Sequence, residues 1–565
     1  MVTITIRKSK FIPDDYSAYV SFPYSEDKVE KIRSLKKRSW IKGSKEWEIQ
    51  ISDIELLFDM FSNESFEIKG RYVDMSPKEF ISSDAYNFKT GCFEHQIEGF
   101  EFGMNHERWL LGDEMGLGKT KQVIDIAVAR KQMFGYSHCL IICGVNSLKW
   151  NWRNEIVKHS DESGYILGQR TKKRTGELYI GSTKDKLDDI QNLDKISDYF
   201  IITNVESLRD DDIATEIKNW LHSDTECKIN MIAADEIHKC KNPNSQQGNA
   251  FIKLDADIRI AMTGTPLMNN PMDLYIILRW LGYEKHSYYS FKQYYCVMGG
   301  YGGYEVIGYK HLDELEGELR SIMLRRLKDD VLDLPEKTYI DEYVDMLPKQ
   351  ATIYKEVKAD IKSNIDMISI APNPLAEMIR LRQATGYTGI LSSEIQCSAK
   401  LDRMEELVED AVKNKKKVIV FSNWTQITDV AYKKLLDKGF VGKMITGDTK
   451  DESRQLIVDA FQTSEYEDFI IGTTGAMGTG ITLTAATVVI FVDHPWSRAL
   501  YEQAVDRAHR VGQKNNITIY NIMCKNTIDE RIWGLVNSKG EMSDMIIDGK
   551  VPSANRRELI DYLLS

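Results

Sequence analysis

Asp113-Glu114-Met115-Gly116-Leu117-Gly118-Lys119-Thr120 is the stretch whose reading decides the fold. Its glycines leave backbone N–H groups open to an anion, its lysine suits β and γ phosphates, and its threonine hydroxyl suits Mg²⁺. The apolar run Trp109-Leu110-Leu111 stands just before it, so a strand, a phosphate loop and a helix are expected in that order. All of residues 113 to 120 are candidate nucleotide-binding positions. One departs from the general pattern: Asp113 stands where a glycine is usual. The competing reading is a glycine-capped strand-to-helix turn with no ligand.

Two other stretches answer the first. Asp235-Glu236-Ile237-His238 places paired acids after the apolar run that starts at Met231, and Gln503 to Gln513 reads QAVDRAHRVGQ. Around the first two, the short apolar runs Cys139 to Cys143, Phe200 to Thr203, Met231 to Asp235 and Arg259 to Thr263 alternate with amphipathic segments. Each run is too short for a lone helix, which is how buried parallel strands read when their carboxyl ends face a ligand. The pattern recurs in Val418 to Ser422, Met444 to Thr446, Phe469 to Thr473, Val488 to Asp493 and Ile517 to Cys524, without a second Gly-Lys-Thr. An α/β protein with two parallel-sheet lobes is expected, the second lobe completing a site built by the first.

The expected organisation is a small α+β module at 1–75, a nucleotide-binding lobe at 76–270 and charged helical insertions with an inter-lobe linker at 271–400. The second lobe is expected at 401–530 and a helical brace across the lobes at 531–565. A chain of 565 residues with 42% hydrophobic residues can bury several cores. No stretch resembles a signal peptide or spans a bilayer, so a soluble intracellular protein is expected. That means cytoplasmic in a bacterial or viral setting and nuclear in a eukaryote. Lys413 to Lys417, KNKKK, reads as a solvated helix end rather than a nuclear signal. Eight cysteines without a C-x-x-C pair read as buried thiols, with neither zinc nor disulfides expected. The net charge of -11 argues against a nucleic-acid partner, but a local positive track is enough to bind phosphates.

Taken together these blocks resemble the Swi/Snf group of superfamily-two helicase-like ATPases, which are double-stranded DNA translocases. The resemblance runs through DEMGLGKT, Asn146-Ser147-Leu148 with Trp152 and Glu155, Glu206-Ser207-Leu208-Arg209, DEIHKCKN from Asp235 and TGTPLMNNP from Thr263. It continues through LRRLKDDVLDLPEK from Leu324, VFSNWT from Val420, LTAA from Leu483 and QAVDRAHRVGQ. It implies two RecA-like lobes that hydrolyse ATP with Mg²⁺. On that basis Lys119 neutralises phosphate oxygens, Thr120 and Asp235 hold Mg²⁺, Glu236 lies beside the ion and positions or deprotonates the attacking water, and Gln96 reads adenine. Arg507 and Arg510 reach across as arginine fingers, unless both pair with acids such as Asp506. Ser147, Ser207, Arg209, Lys241, Trp424 and the loop holding Gly478, Gly480 and Thr482 are the expected DNA contacts. Gly144 stands where the family usually has proline, Met477 and Thr479 replace glycine and leucine, and Thr482 replaces asparagine.

The resemblance implies a monomer working on duplex or branched DNA, away from membranes, with repair or replication proteins as partners. Nucleosome sliding is not expected of a chain little larger than the motor. The competing functions are a superfamily-two motor that unwinds duplexes or acts on RNA, an ATP-gated binding module, and a small-molecule kinase. Lys31 to Trp47, KIRSLKKRSWIKGSKEW, loosely resembles segments that precede the motor in the annealing-helicase branch. It reads either as a grip for DNA junctions and single strands, with Trp40 and Trp47 stacking on bases, or as a small domain with two core tryptophans.

Overall fold

A computed structural model describes the chain apart from residues 1, 9–15, 36–37, 51–52, 63, 71–79, 147, 177, 241, 265–270, 300–304, 366–374, 479, 538–555 and 565. It divides into two units, Met1–Ile81 and Ser82–Ser565.

The larger unit is built on two parallel sheets. In the first, seven strands lie in the order Met323–Leu324, Arg108–Leu111, Ile258–Met262, Ile229–Asp235, His138–Cys143, Phe200–Asn204 and Gly164–Ile166. The strands from Ile258–Met262 to Phe200–Asn204 are buried at every residue. Helices cover both faces, which is why these strands read as unbroken apolar runs rather than alternating ones. Register aligns their carboxyl ends: Leu111 pairs with Met262, Met262 with Asp235, and Asp235 with Cys143. The phosphate loop and the paired acids therefore emerge on one edge, where open α/β sheets place ligands.

The helix after the loop, Lys119–Phe134, starts at Gly118 and ends at Gly135, both left-handed, with φ of 77° and 69°. Its residues Lys121 to Arg130 are all buried. Helix Glu94–Asn105 packs against it through Gly103, where a Cβ would collide with the Ile126 side chain of that helix and lie 2.7 Å from the Trp109 ring. A side chain at 103 would therefore push the two helices apart, which overpacked cores typically resist by about 1–3 kcal/mol.

The second sheet has six parallel strands in the order Lys337–Val344, Ile517–Cys524, Ala486–Phe491, Lys417–Ser422, Phe469–Thr473 and Gly442–Ile445. This corrects the expected 271–400 linker at two places. Met323–Leu324 pairs with Arg108–Leu111 as an edge of the first sheet, and Lys337–Val344 pairs along its whole length with Ile517–Cys524. The latter strand is half exposed, with Tyr339 and Tyr343 open to solvent, so its charged pattern reads like a helix. The rest of that region holds helices such as Leu312–Ile322 and Pro348–Ser363, and a hairpin of Cys296–Gly299 with Glu305–Tyr309. In the final helix, Arg556–Leu564, the residues Ile560, Leu563 and Leu564 join the core of the second lobe with Tyr354, Met378 and Ile532, while 538–555 of the expected brace lie outside the described residues.

The smaller unit is a five-stranded sheet, in the order Arg38–Ile41, Glu46–Ile49, Tyr16–Ser21, Val2–Lys8 and Phe66–Gly70, with helices Glu26–Ser34 and Ile54–Met60. Its core holds Val2, Ile4, Val20, Ile32 and Leu57. Trp40 and Trp47 face each other across the hairpin with ring centroids 5.1 Å apart. Trp47 packs against the core, whereas Trp40 is 47% exposed, so the reading with two core tryptophans fails for Trp40. Lys36 and Lys37 lie outside the described residues. Among the described residues no helix is long and apolar enough to cross a membrane.

Candidate active site

A cleft of about 340 Å³ is lined by Met115, Gly116, Gly118, Lys119 and Thr120 from the phosphate loop, and by Asp235 and Glu236 from the neighbouring strand end. Arg507 and Arg510 line it from the other lobe. The loop turns on two left-handed glycines, Gly116 at φ 87° and Gly118 at φ 77°, a conformation that glycine adopts without steric cost. Lys119 Nζ donates to the carbonyl oxygens of Asp113 at 2.8 Å and Glu114 at 3.3 Å. Burial lowers its pKa, while Glu236, Asp113 and Asp235 favour its charged form.

Three members of the loop are occupied elsewhere. Asp113 is fully buried and its carboxylate binds Arg326, at 3.0 Å through Nε and 2.6 Å through Nη2, and also accepts from Gln122 at 3.1 Å. Glu114 Oε2 accepts the backbone N–H of Lys328 at 2.8 Å. Leu117 is buried, and its carbonyl receives His95 at 3.0 Å and the Gln96 amide at 3.3 Å. The side chains of Asp113, Glu114 and Leu117 thus shape the loop, and of the expected positions 113–120 these three do not line the cleft. The departure at Asp113 has a reason too: a glycine there could not hold Arg326. Gln96 does line the cleft, its amide oxygen accepting the Phe93 N–H at 3.2 Å.

Asp235 receives Trp152 Nε1 at 2.8 Å, and burial followed by repulsion from Glu236 pushes its carboxyl up to about 6. A hard divalent cation would relieve both effects, and the oxygen donors of Thr120 and Asp235 suit Mg²⁺. Glu236 takes φ of 52°, a left-handed backbone that is uncommon outside glycine and clusters at functional sites. Gly144 accounts for that turn's surroundings: its N–H donates to the Asp235 carbonyl at 2.7 Å, and a Cβ on it would collide with the Glu236 carbonyl. Proline would lose the donor and add the collision.

Across the cleft, Arg507 donates to the carbonyls of Gln503 at 3.0 Å and Ile481 at 3.2 Å and approaches Met115 Sδ at 4.0 Å. Burial, then repulsion from Arg510, lowers its guanidinium to about 10. The Arg510 guanidinium makes no hydrogen bond or ion pair among the described residues, while its carbonyl accepts the Gln513 N–H at 3.0 Å, and its Cβ lies 3.0 Å from where a Cβ on Gly116 would stand. Among the described residues Asp506 holds neither arginine in an ion pair; it pairs with Lys328.

The DNA candidates divide. Ser147 and Lys241 lie outside the described residues. Ser207 is buried, donating to Asn204 Oδ1 at 2.6 Å and accepting from Lys186 at 2.9 Å, so its hydroxyl is turned from solvent. Gly480 and Thr482 line the nucleotide cleft instead, carried there by the loop whose Ile481 carbonyl holds Arg507. A polar residue at a strand end looks the same in sequence whichever side of the loop it faces. Gly478 closes the short helix Thr474–Met477, its N–H bonded to the Thr474 carbonyl at 2.8 Å. Arg209 is exposed, with Nε bonded to Gln247 at 2.7 Å. Trp424 is half-buried against the Arg382 guanidinium, which also faces Trp496, at 4.9 and 4.6 Å from the ring centroids. Sequence reasoning assigned no role to Arg326, Lys328 or Trp152. The signal lay in the quoted blocks LRRLKDDVLDLPEK and Asn146 to Glu155, whose charged and aromatic residues do not announce their partners.

The SNF2-related domain matches residues 95–390, and the helicase conserved C-terminal domain matches residues 399–512. The chain belongs to the SNF2 family of helicase-like ATPases. Its relatives include an uncharacterized ATP-dependent helicase of Mycoplasma pneumoniae, 28% identical over 87% of this chain and 45% of that protein. Chromodomain-helicase-DNA-binding protein 1-like of Danio rerio is 26% identical over 85% of this chain and 46% of that protein. The chain thus spans less than half the length of these relatives. The SWI2/SNF2 ATPase core of Sulfolobus solfataricus, solved in complex with dsDNA, is 24% identical, with 86% of this chain and 97% of that one covered and a TM-score of 0.38.

Proposed function

We propose that this chain hydrolyses ATP to move along double-stranded DNA, remodelling forks and branches or displacing bound proteins without separating strands. The observation that carries the reading is the cleft itself, with a phosphate loop and paired acids on one wall and two arginines on the other. A kinase would need an acceptor pocket on that second wall. Lys119 neutralises β and γ oxygens, Thr120 and Asp235 hold the metal, and Glu236 orients the attacking water and takes its proton. Mg²⁺ supplies charge neutralisation of the phosphates when bound. Arg507 and Arg510 act where charge builds on the transferring phosphoryl, so hydrolysis needs both lobes. Family membership and the names of the relatives support the DNA partner, and Arg209 and Trp424 remain its candidate contacts.

The deciding experiment measures ATP turnover side by side with duplex, forked and single-stranded DNA and with RNA, and couples it to displacement of a triplex strand. Duplex DNA is expected to stimulate most, with the triplex strand released from a blunt duplex that stays paired. Efficient opening of a plain tailed duplex would replace this reading with a strand-separating helicase.

A further inference from the structure

We infer that Lys328 is a positioning residue for hydrolysis, fastening the segment that carries Arg507 and Arg510 to the phosphate loop. The inference rests on the functional reading above, and its geometry is independent of it. Lys328 opens the short helix Lys328–Val331 and is 2% exposed. Its ammonium donates to Asp506 and to the His509 carbonyl, the latter at 3.1 Å, while its backbone N–H donates to Glu114 Oε2 at 2.8 Å. Two residues earlier, Arg326 clamps Asp113. A strap of three residues thus grips the phosphate loop at Asp113 and Glu114 and the opposite lobe at Asp506 and His509. His509 is tethered again, its Nε2 lying 2.8 Å from the Pro335 carbonyl of the same connecting segment.

The strap does two things for the arginines. It fixes their height: a Cβ on Gly116 would lie 3.1 Å from Lys328 Cε and 3.0 Å from Arg510 Cβ, so loop, strap and arginine segment meet at one glycine. It also removes a competitor. Asp506 attracts both guanidiniums, and a carboxylate already paired with a buried lysine has less reason to draw either of them from the cleft. The pair is buried on both sides, so losing one partner leaves an uncompensated charge in a poorly screened site.

The test uses the full chain with Lys328→Met, Asp506→Asn and the exchanged pair K328D/D506K. Misplacing a reacting group by about 1 Å can cost about 10²-fold, so each single variant should lower kcat by about that factor, with the KM for ATP changed less than ~3-fold. The exchanged pair should recover part of the loss. Hydrogen exchange across Arg498 to Gln513 should quicken in the single variants and slow again in the exchange. Single variants with the parent kcat, or an exchanged pair that recovers neither kcat nor protection, would overturn the positioning role. A parent chain that turns over no ATP sinks the functional reading instead, and exchange rates still decide the latch: unchanged protection in Lys328→Met would overturn it.

Discussion

The two sheets share a parallel topology and differ in what their carboxyl ends carry. Leu111 runs into the phosphate loop and Asp235 into Glu236, so one mouth carries the groups proposed to bind nucleotide. The second sheet has no Gly-Lys-Thr; its loops bring Arg507, Arg510, Gly480 and Thr482 to the same cleft. Binding is therefore separable from turnover. Under the proposed function, groups on the first wall meet the ground state, whereas guanidiniums on the second act most where charge develops, and only that kind of contact accelerates chemistry. Lobe approach becomes part of the reaction rather than its setting.

The harshest way to break this division is to empty the first wall. Lys119→Ala should abolish turnover and weaken nucleotide binding, since no other ammonium replaces it in the phosphate loop. Glu236→Gln should also stop turnover but keep ATP·Mg²⁺ bound, because it removes a base and not a phosphate contact. Fluorescent-nucleotide titration beside a phosphate-release assay separates them. Equal loss of binding in both variants would make Glu236 structural, in line with its strained backbone alone.

A second, smaller effect tests the other wall. Arginine fingers in related chemistry are worth about 10³ to 10⁵ in rate, so Arg507→Ala and Arg510→Ala should lower kcat on that scale. Affinity for ATP and DNA should change little. Arg507 also braces the 478–482 loop through the Ile481 carbonyl, so its loss should in addition lower thermal stability, which Arg510→Ala should leave alone. A full-rate Arg510→Ala protein would remove that residue from the site.

How much of this the sequence disclosed depends on what kind of constraint each residue answers to. Central strands were legible because burial on both faces demands unbroken apolar runs, and Ile517–Cys524 begins and ends where its run does. The edge strand Lys337–Val344 was not, since none of its residues is fully buried and Lys337, Asp341 and Glu342 interrupt the apolar run. Lys119, Asp235, Glu236, Arg507 and Arg510 were picked out by type and order, which phosphate chemistry would fix, and the structure brings all five to one cleft. Side-chain direction was not: Asp113 turns from nucleotide to Arg326, and Ser207 turns inward to Asn204 and Lys186. A buried lysine such as Lys328 is the hardest case, because among charged neighbours it looks like surface.

The smallest expected effect separates the two assignments of the 478–482 loop. If Thr482 belongs to the nucleotide cleft, where the structure puts it, Thr482→Ala removes at most one hydroxyl contact. A net hydrogen bond is worth about 1 kcal/mol, or roughly fivefold, and that change should fall on kcat/KM for ATP. Duplex affinity and its dependence on salt should stay as they were. A hydroxyl on a DNA phosphate predicts the reverse, namely weaker binding to every duplex with ATP kinetics at saturating DNA unchanged. Titrating duplex DNA at several salt concentrations, beside ATP kinetics at saturating DNA, tells them apart. A defect confined to DNA binding would return Thr482 to the DNA track and leave Arg507 and Arg510 as the second lobe's own contribution to the cleft.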